Sequence, residues 1–316
     1  MMLRTFKSKC LCVLAISAAV GLASPAAAAL IAYEPFDYAV GSELNTQNGG
    51  VGFSGPWGLF TGAVTNAVIQ SGNLAVPALP SLATSSSGNS VLFSGVNGTA
   101  QYKRSFPNIA GTDGTTTWIS FIGKRQGPAA ASGANLYPRG TNIGFFNTEN
   151  TTRQERATIG NSSGAAANTW ALIPTGSAGS IQPTSNPAVT YGGGDAVWAV
   201  LRIDHRGANP DVSGTLPVAD RDDAYLFINP DPSVEPALAS ANATVLQGAA
   251  NAFDYSGLDF IRPFIGNTSG AQPYGELWVD EIRIGTTYSA MTAPEPTSCV
   301  LFVLGGLLMA VRRTRS

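Results

Sequence analysis

Short runs of β-formers recur along the middle of the chain, and no apolar stretch there keeps a 3.6-residue period, so the fold must be built from strands packed on strands. The runs are Ile31 to Tyr33, Val64 to Ile69, Ser90 to Phe93, Ala100 to Phe106, Thr116 to Gly123, Ile143 to Phe146 and Arg156 to Gly160. They continue with Thr169 to Ile173, Val197 to Asp204, Asp223 to Ile228, Leu258 to Gly266 and Gly275 to Ile284. Clusters of Gly, Asn, Ser and Pro separate them. Strands in this rhythm without intervening helices predict one antiparallel sandwich or barrel. Pro263 predicts an edge strand or a bulge for its run, since proline cannot donate to a ladder. Ser132 to Arg139, Pro174 to Gly194 and Gly207 to Val218 are too long and polar for hairpin turns and are expected as loops.

Composition supports a packed core. Gly (36) and Pro (20) make about 18% of the 316 residues, below the roughly 25–30% of low-complexity disorder. Only 12% of residues are charged.

The two ends read as addresses. In residues 1–29, Arg4, Lys7 and Lys9 precede an apolar core from Cys10 to Leu22, and small residues end at Ala27-Ala28-Ala29. This is the pattern of a secretory signal, with cleavage expected after Ala29. At the other end, Pro294-Glu295-Pro296 is followed by an apolar run from Cys299 to Val311 and by Arg312, Arg313 and Arg315. Such a run forms a helix of about 20 Å, short of the ~30 Å hydrocarbon core, and its arginines are expected to stay cytoplasmic. Motif, short apolar helix and basic end in that order resemble the PEP-CTERM sorting signal of Gram-negative bacteria. The resemblance implies an exosortase-type membrane protease as a partner, transient anchoring in the inner membrane, and final placement at the cell surface or outside it. Residues 1–29, 30–293 and 294–316 are thus expected as signal peptide, ectodomain and sorting signal, the membrane being touched only by the C-terminal helix.

Residues 1–29 and 297–316 each carry three of the eighteen basic residues and no acidic one, which leaves twelve basic against twenty acidic residues between Leu30 and Pro296. Nucleic acid is therefore not an expected partner. All three cysteines (Cys10, Cys12, Cys299) lie in the end segments. The ectodomain has no disulfide and no thiolate ligand, and its single His205 excludes a two-histidine metal site.

The words Tyr33-Glu34-Pro35-Phe36-Asp37-Tyr38, Trp118-Ile119-Ser120-Phe121 and Trp278-Val279-Asp280-Glu281-Ile282-Arg283-Ile284-Gly285 resemble concanavalin-like jelly-roll proteins carrying laminin-G-like domains. The resemblance implies an all-β antiparallel jelly-roll β-sandwich whose opening and closing strands lie side by side, with a signal helix before it and a hydrophobic helix after it.

Three features carry candidate chemistry. Period-two alternation places Trp118 with Lys124, Trp198 with Arg202 and Asp204, and Trp278 with Glu276 and Asp280 on shared strand faces. Aromatic faces beside charges suit sugar stacking, so a non-catalytic module for extracellular polysaccharide is expected. A passive envelope protein, or a glycoside hydrolase using the Glu276 and Asp280 face, are the alternatives; the E-x-D-x-E word of laminarinase-type enzymes is absent, because Trp278 holds its central position. Asp220, Asp222 and Asp223 offer either oxygen ligands for calcium, which laminin-G-like domains often bind near a sheet rim, or a solvated acidic turn. The stretch Gly160-Asn161-Ser162-Ser163-Gly164, with Asp195 and His205 following, matches the order of a hydrolase triad but lacks its strand-to-helix setting and reads as a hairpin turn.

Overall fold

The computed structural model describes residues 30–62, 66–82, 88–95, 99–126, 141–147, 154–161, 170–174, 194–206, 221–246, 254–266 and 275–293. Ala29, Asp220, Pro294, Glu295, Pro296, Arg312, Arg313, Arg315 and Ser162 fall outside these residues, as do both end segments and most of the three expected long loops. No helix among the described residues is long and apolar enough to cross a membrane.

The strands are β1 (Leu30–Glu34), β2 (Gly58–Gly62), β3 (Ala67–Gln70), β4 (Ser90–Ser94), β5 (Ala100–Ile109), β6 (Thr116–Gln126) and β7 (Thr141–Asn147). Then come β8 (Gln154–Asn161), β9 (Ala171–Pro174), β10 (Val197–Asp204), β11 (Asp223–Ile228), β12 (Ala243–Val245), β13 (Leu258–Ile265) and β14 (Glu276–Gly285). They form two antiparallel sheets. One has eight strands in the order β12-β11-β10-β6-β14-β4-β3, with β1 also on β14; the other has six in the order β2-β5-β13-β7-β8-β9. This is a jelly-roll sandwich, and its opening and closing strands pair, Leu30 opposite Gly285.

The inner faces meet in one large core. Alternation sends Ile119 and Phe121 of β6, Val197, Ala199 and Leu201 of β10, and Ile261 and Ile265 of β13 inward. Trp170 fills the space over Gly123, where a Cβ would stand 2.6 Å from its Cη2. At one end of the core, Glu34 accepts from Trp57 Nε1 at 2.9 Å, Tyr38 Oη at 2.8 Å, the Phe36 amide at 2.9 Å and the Arg104 guanidinium. Four donors on one carboxylate satisfy a charge that burial alone would expel. The opening segment Tyr33 to Tyr38 thus holds a buried hydrogen-bonding cluster.

Strand β14 changes its inward parity midway. Leu277 and Val279 point into the core, and so do Ile282 and Ile284. A bulge between Asp280 and Arg283 supplies the extra residue, with Glu281 at φ 52°. The same point divides its partners: residues 276–279 pair with β4, residues 282–285 with β1.

Strand β13 corrects the expectation for Pro263. It is an interior strand between β5 and β7. Pairing with β7 runs through Pro263 opposite Ile143, whereas pairing with β5 passes from Ile261–Arg104 to Phe264–Gln101. The missing N–H therefore falls on the β5 side, where the ladder opens locally.

Candidate functional site

The shared face of Trp118 and Trp198 is real but covered. Both rings belong to a second apolar cluster on the outer side of the eight-stranded sheet, with Ile122, Val200, Tyr225 and Phe227. A helical turn at Ser289–Thr292 and the segment around Leu74 to Leu82 lie over it. Tyr288 packs edge-on to Trp118 at 5.2 Å and against Trp198 at 6.0 Å. Each tryptophan is only 2% exposed, so neither offers a face to a sugar. Period two assigned the side of the sheet correctly; the cover comes from segments that have no period.

The companions of these tryptophans are engaged in structure. Arg202 donates from Nε to Asp204 Oδ1 at 2.7 Å and from Nη1 to Glu235 Oε1 at 2.8 Å, with its guanidinium 5.3 Å from Trp118. Asp280 is buried. It accepts from the Leu74 amide at 2.8 Å and the Glu281 amide at 2.8 Å, which ties the covering segment to the sheet. Burial, with Glu281 alongside, pushes its carboxyl well above the usual range. Trp278 and Glu276 remain partly exposed on the same outer face, Trp278 opposite Lys124. The eight residues expected on the shared strand faces are thus divided among a covered cluster, a charged rim, the buried Asp280 and a small exposed patch of Lys124, Glu276 and Trp278.

The acidic turn is also committed. Asp222 Oδ2 accepts from the Tyr255 amide at 2.7 Å and lies 3.0 Å from His205 Nδ1, while Oδ1 accepts from the Arg206 amide at 2.7 Å. Asp223 pairs with Arg206 at 2.7 Å. Asp222 and Asp223 thus serve as structural acceptors, and the buried Asp222 is not part of a solvated turn. His205 lies 2.9 Å from Thr117 Oγ1 through Nε2. Its carboxylate is Asp222, not Asp195, and the whole trio is buried.

The arrangement of aromatic rings and charges sought on the tryptophan face occurs on the other sheet. In β13, Phe260, Arg262 and Phe264 alternate outward against the inward Ile261 and Ile265. Phe146 of β7 stacks on Phe260 with centroids 4.6 Å apart, and Phe60 of β2 stands 6.4 Å from Phe260 and 6.1 Å from Phe146. The Arg262 guanidinium lies among them, 4.5 Å from Phe146, 5.2 Å from Phe264 and 5.8 Å from Phe60. Such cation–π contacts hold the guanidinium plane in place.

Polar groups complete the patch. Arg262 donates from Nη2 to Glu155 Oε1 at 2.7 Å, and Thr158 Oγ1 donates to the same oxygen. Their side chains are 13% exposed for Arg262 and 27% for Glu155. Gln101 Oε1 lies at 3.4 Å from Arg262 Nη1, and Lys103 Nζ is 6.0 Å from the Phe60 centroid. Gly144, opposite Arg262 on β7, is the floor: a Cβ there would meet Glu155 Oε1 at 2.6 Å. The buried Phe146 and Phe260 form the base, while Phe60, Phe264, Gln101 and Lys103 are partly exposed. The sequence signal was available in the alternating Phe-Arg-Phe word of β13, but it became meaningful only once Pro263 was placed inside a sheet.

No protein-family model matches the sequence, and no curated protein matches it. Among solved structures the chain is similar to the globular domain of T. cruzi calreticulin, at 10% identity and TM-score 0.43, covering 89% of this chain and 95% of that one. It is similar to an endo-1,3-beta-glucanase from Streptomyces sioyaensis at 13% identity and TM-score 0.42, covering 81% and 95%. Domain 4 of the arabinanase AbnA from Geobacillus stearothermophilus matches at 14% identity and TM-score 0.35, covering 84% and 97%. The strand order, rather than any of these likenesses, defines the class: an antiparallel jelly-roll sandwich.

Proposed function

We propose that this is an exported, non-catalytic polysaccharide-binding protein of the bacterial surface or matrix, and that it holds glycan on the outer face of the six-stranded sheet. The observation that carries the reading is the Arg262 guanidinium set among Phe60, Phe146 and Phe264, with partly exposed aromatic edges around it. Partly exposed rings provide stacking area for pyranose faces, and Gln101, Lys103, Glu155 and Arg262 provide hydrogen-bonding groups for hydroxyls. Glycosidic cleavage by the usual route needs two carboxyl groups, one acting as acid. Of the Glu276 and Asp280 pair on which the hydrolase alternative rests, Asp280 is buried and accepts from the Leu74 and Glu281 amides while Glu276 is partly exposed, which supports the non-catalytic reading.

A glycan array with the purified ectodomain tests this. Binding above background that is lost in Phe60→Ala supports it; absence of binding, or binding indifferent to the substitution, overturns it. A passive envelope role is the second reading, favoured by the full burial of Trp57, Trp118, Trp170 and Trp198, and the negative array result is its expectation.

The same proposal includes the route out: export through a signal ending at Ala29, transient retention by the apolar run, and cleavage near Pro294 to Pro296 by an exosortase-type protease. The apolar run and three arginines support it. Intact mass of surface-extracted protein should lack roughly the last 20 residues; a C-terminus at Ser316 would defeat the sorting step.

A further inference from the structure

Four of the five tryptophans, Trp57, Trp118, Trp170 and Trp198, are 2% exposed or less. Trp278 alone is partly exposed. It stands on the outer face of the eight-stranded sheet, since Leu277 and Val279 on either side of it point into the core, and it is no part of the covered cluster that holds Trp118 and Trp198. Trp278 lies opposite Leu92 of β4, and Leu92 opposite Val68 of β3. All three are partly exposed, which makes an apolar strip three strands wide. Charges of both signs bracket the ring. Lys124 of β6 is opposite Trp278 on its other side, and Glu276 precedes it by two residues on the same face, with the partly exposed Gln126 opposite Glu276. Lys124 and Glu276 enter no ion pair or hydrogen bond among the described residues.

We infer that the Trp278 strip is a second site, for uncharged pyranose glycan, back to back with the Phe60 face, so that one molecule joins two polysaccharide chains. The inference rests on the glycan-binding reading of the six-stranded sheet and adds a bridging role to it. A protein partner would need far more surface, about 20–30 residues a side in a standard interface. One cation and one anion leave the strip without net charge, which favours neither a charged polymer nor an anionic membrane. An indole with a hydroxyl donor on one side and an acceptor on the other suits a pyranose ring. The two faces lie on opposite sides of a sandwich whose sheets stand about 10 Å apart with the core between them, so a glycan resting on one does not touch the other. A single ring with two polar groups makes a weak site, on the order of 1 mM. Such a site fills in solution but holds nothing through the washes of an array, which reads the Phe60 face.

Acrylamide quenching of tryptophan reads this strip alone, because the other four indoles are buried. Cellotetraose, an uncharged pyranose chain, at millimolar concentration should reduce the quenching in wild type and equally in Phe60→Ala. Lys124→Ala, at the rim of the strip, should raise the concentration needed about tenfold, as for the loss of a hydrogen bond to a charged group. In light scattering, a soluble mixed-linkage β-glucan should grow into larger particles with wild type but not with Phe60→Ala or Trp278→Ala. A melting curve checks that Trp278→Ala is folded; if it is not, reduced particle growth with Lys124→Ala carries the same test. Quenching unmoved by the sugar in both wild type and Phe60→Ala overturns the second site and, after a positive glycan array, leaves the Phe60 face standing. Protection seen in wild type but lost in Phe60→Ala also overturns it, since the effect then starts from the first face. Protection without particle growth overturns the bridging. Unmoved quenching together with a negative array removes both faces.

Discussion

Arg262 reaches Glu155 across the bare backbone of Gly144, with Nη2 2.7 Å from Oε1. The glycine makes room: a Cβ at that position would lie 2.6 Å from Glu155 Oε1, 2.9 Å from Phe146 Cε2 and 3.4 Å from Arg262 Nη2. Gly144→Ala should therefore displace the ion pair. The nearest atom is the free end of a flexible side chain, so the stability loss is expected near the low end of overpacking effects, about 1 kcal/mol. Glycan affinity is expected to fall by more than the melting temperature suggests. Unchanged affinity would separate the ion pair from ligand recognition.

Tyr288 is the keystone of the covered tryptophan face, touching both Trp118 and Trp198. Its hydroxyl donates to the Asp231 carbonyl at 2.6 Å, which fixes the ring from behind. Truncation to Ala removes a buried aromatic ring and opens a cavity, for which about 3–5 kcal/mol is the usual loss. Trp emission should shift to the red and acrylamide quenching should rise. Emission identical to wild type would mean that the segment around Leu74 to Leu82 covers the tryptophans unaided.

Asp280 gives the domain a pH signature. Its carboxyl is raised well above 3.8 by burial, with Glu281 adding to the effect. A folded value above the unfolded one means that the neutral form is favoured on folding, so the contribution is complete below the unfolded pKa and is lost as pH rises through the folded one. Asp280→Asn should flatten this part of the profile. Asparagine can still accept from the Glu281 amide but presents an amide donor toward Leu74, which removes one hydrogen bond worth about 1 kcal/mol. The variant should hence be less stable than wild type at acid pH, with the gap narrowing toward neutrality. Parallel stability curves would assign the pH dependence to another buried carboxyl, Glu34 or Asp222.

These residues also show what sequence alone can supply. Strand positions follow from β-forming runs because inward side chains such as Ile119, Phe121 and Leu201 obey period two. The short β2 and β12 were missed because glycine or a three-residue length leaves no pattern to detect. Period two also put Trp118 and Trp198 on one side of their sheet, but a covering segment is a tertiary contact and leaves no mark on the strand it covers. Pro263 misled for a local reason: a missing donor is tolerated in an interior strand if only one side of the ladder opens. The alternation read through Glu276, Trp278 and Asp280 holds only as far as the bulge, after which Ile282 and Ile284 take the inward positions. Asp222 and Asp223 were visible as a cluster, but their partners Tyr255 and Arg206 come from other parts of the chain.

That bulge supplies a contest between backbone and side chain. Glu281 holds φ 52°, where a residue with a Cβ is strained by about 1–2 kcal/mol. Glycine would relieve this. The Glu281 carboxylate, however, accepts from Tyr33 Oη at 3.0 Å and from Arg283 Nη2 at 2.9 Å, and Arg283 also donates to the Ala293 carbonyl. Removing it leaves a buried guanidinium without its counter-charge, and breaking such a pair typically costs about 3–5 kcal/mol. The side-chain loss outweighs the backbone gain, so Glu281→Gly should destabilise the domain by about 2–3 kcal/mol. Glu281→Gln, which keeps the strain and an acceptor but drops the charge, should fall between it and wild type in denaturant unfolding. Should Glu281→Gly instead match or exceed wild-type stability, the bulge would owe its shape to the parity of Ile282 and Ile284 alone, and the Tyr33–Glu281–Arg283 link would contribute nothing to closing the first strand on the last.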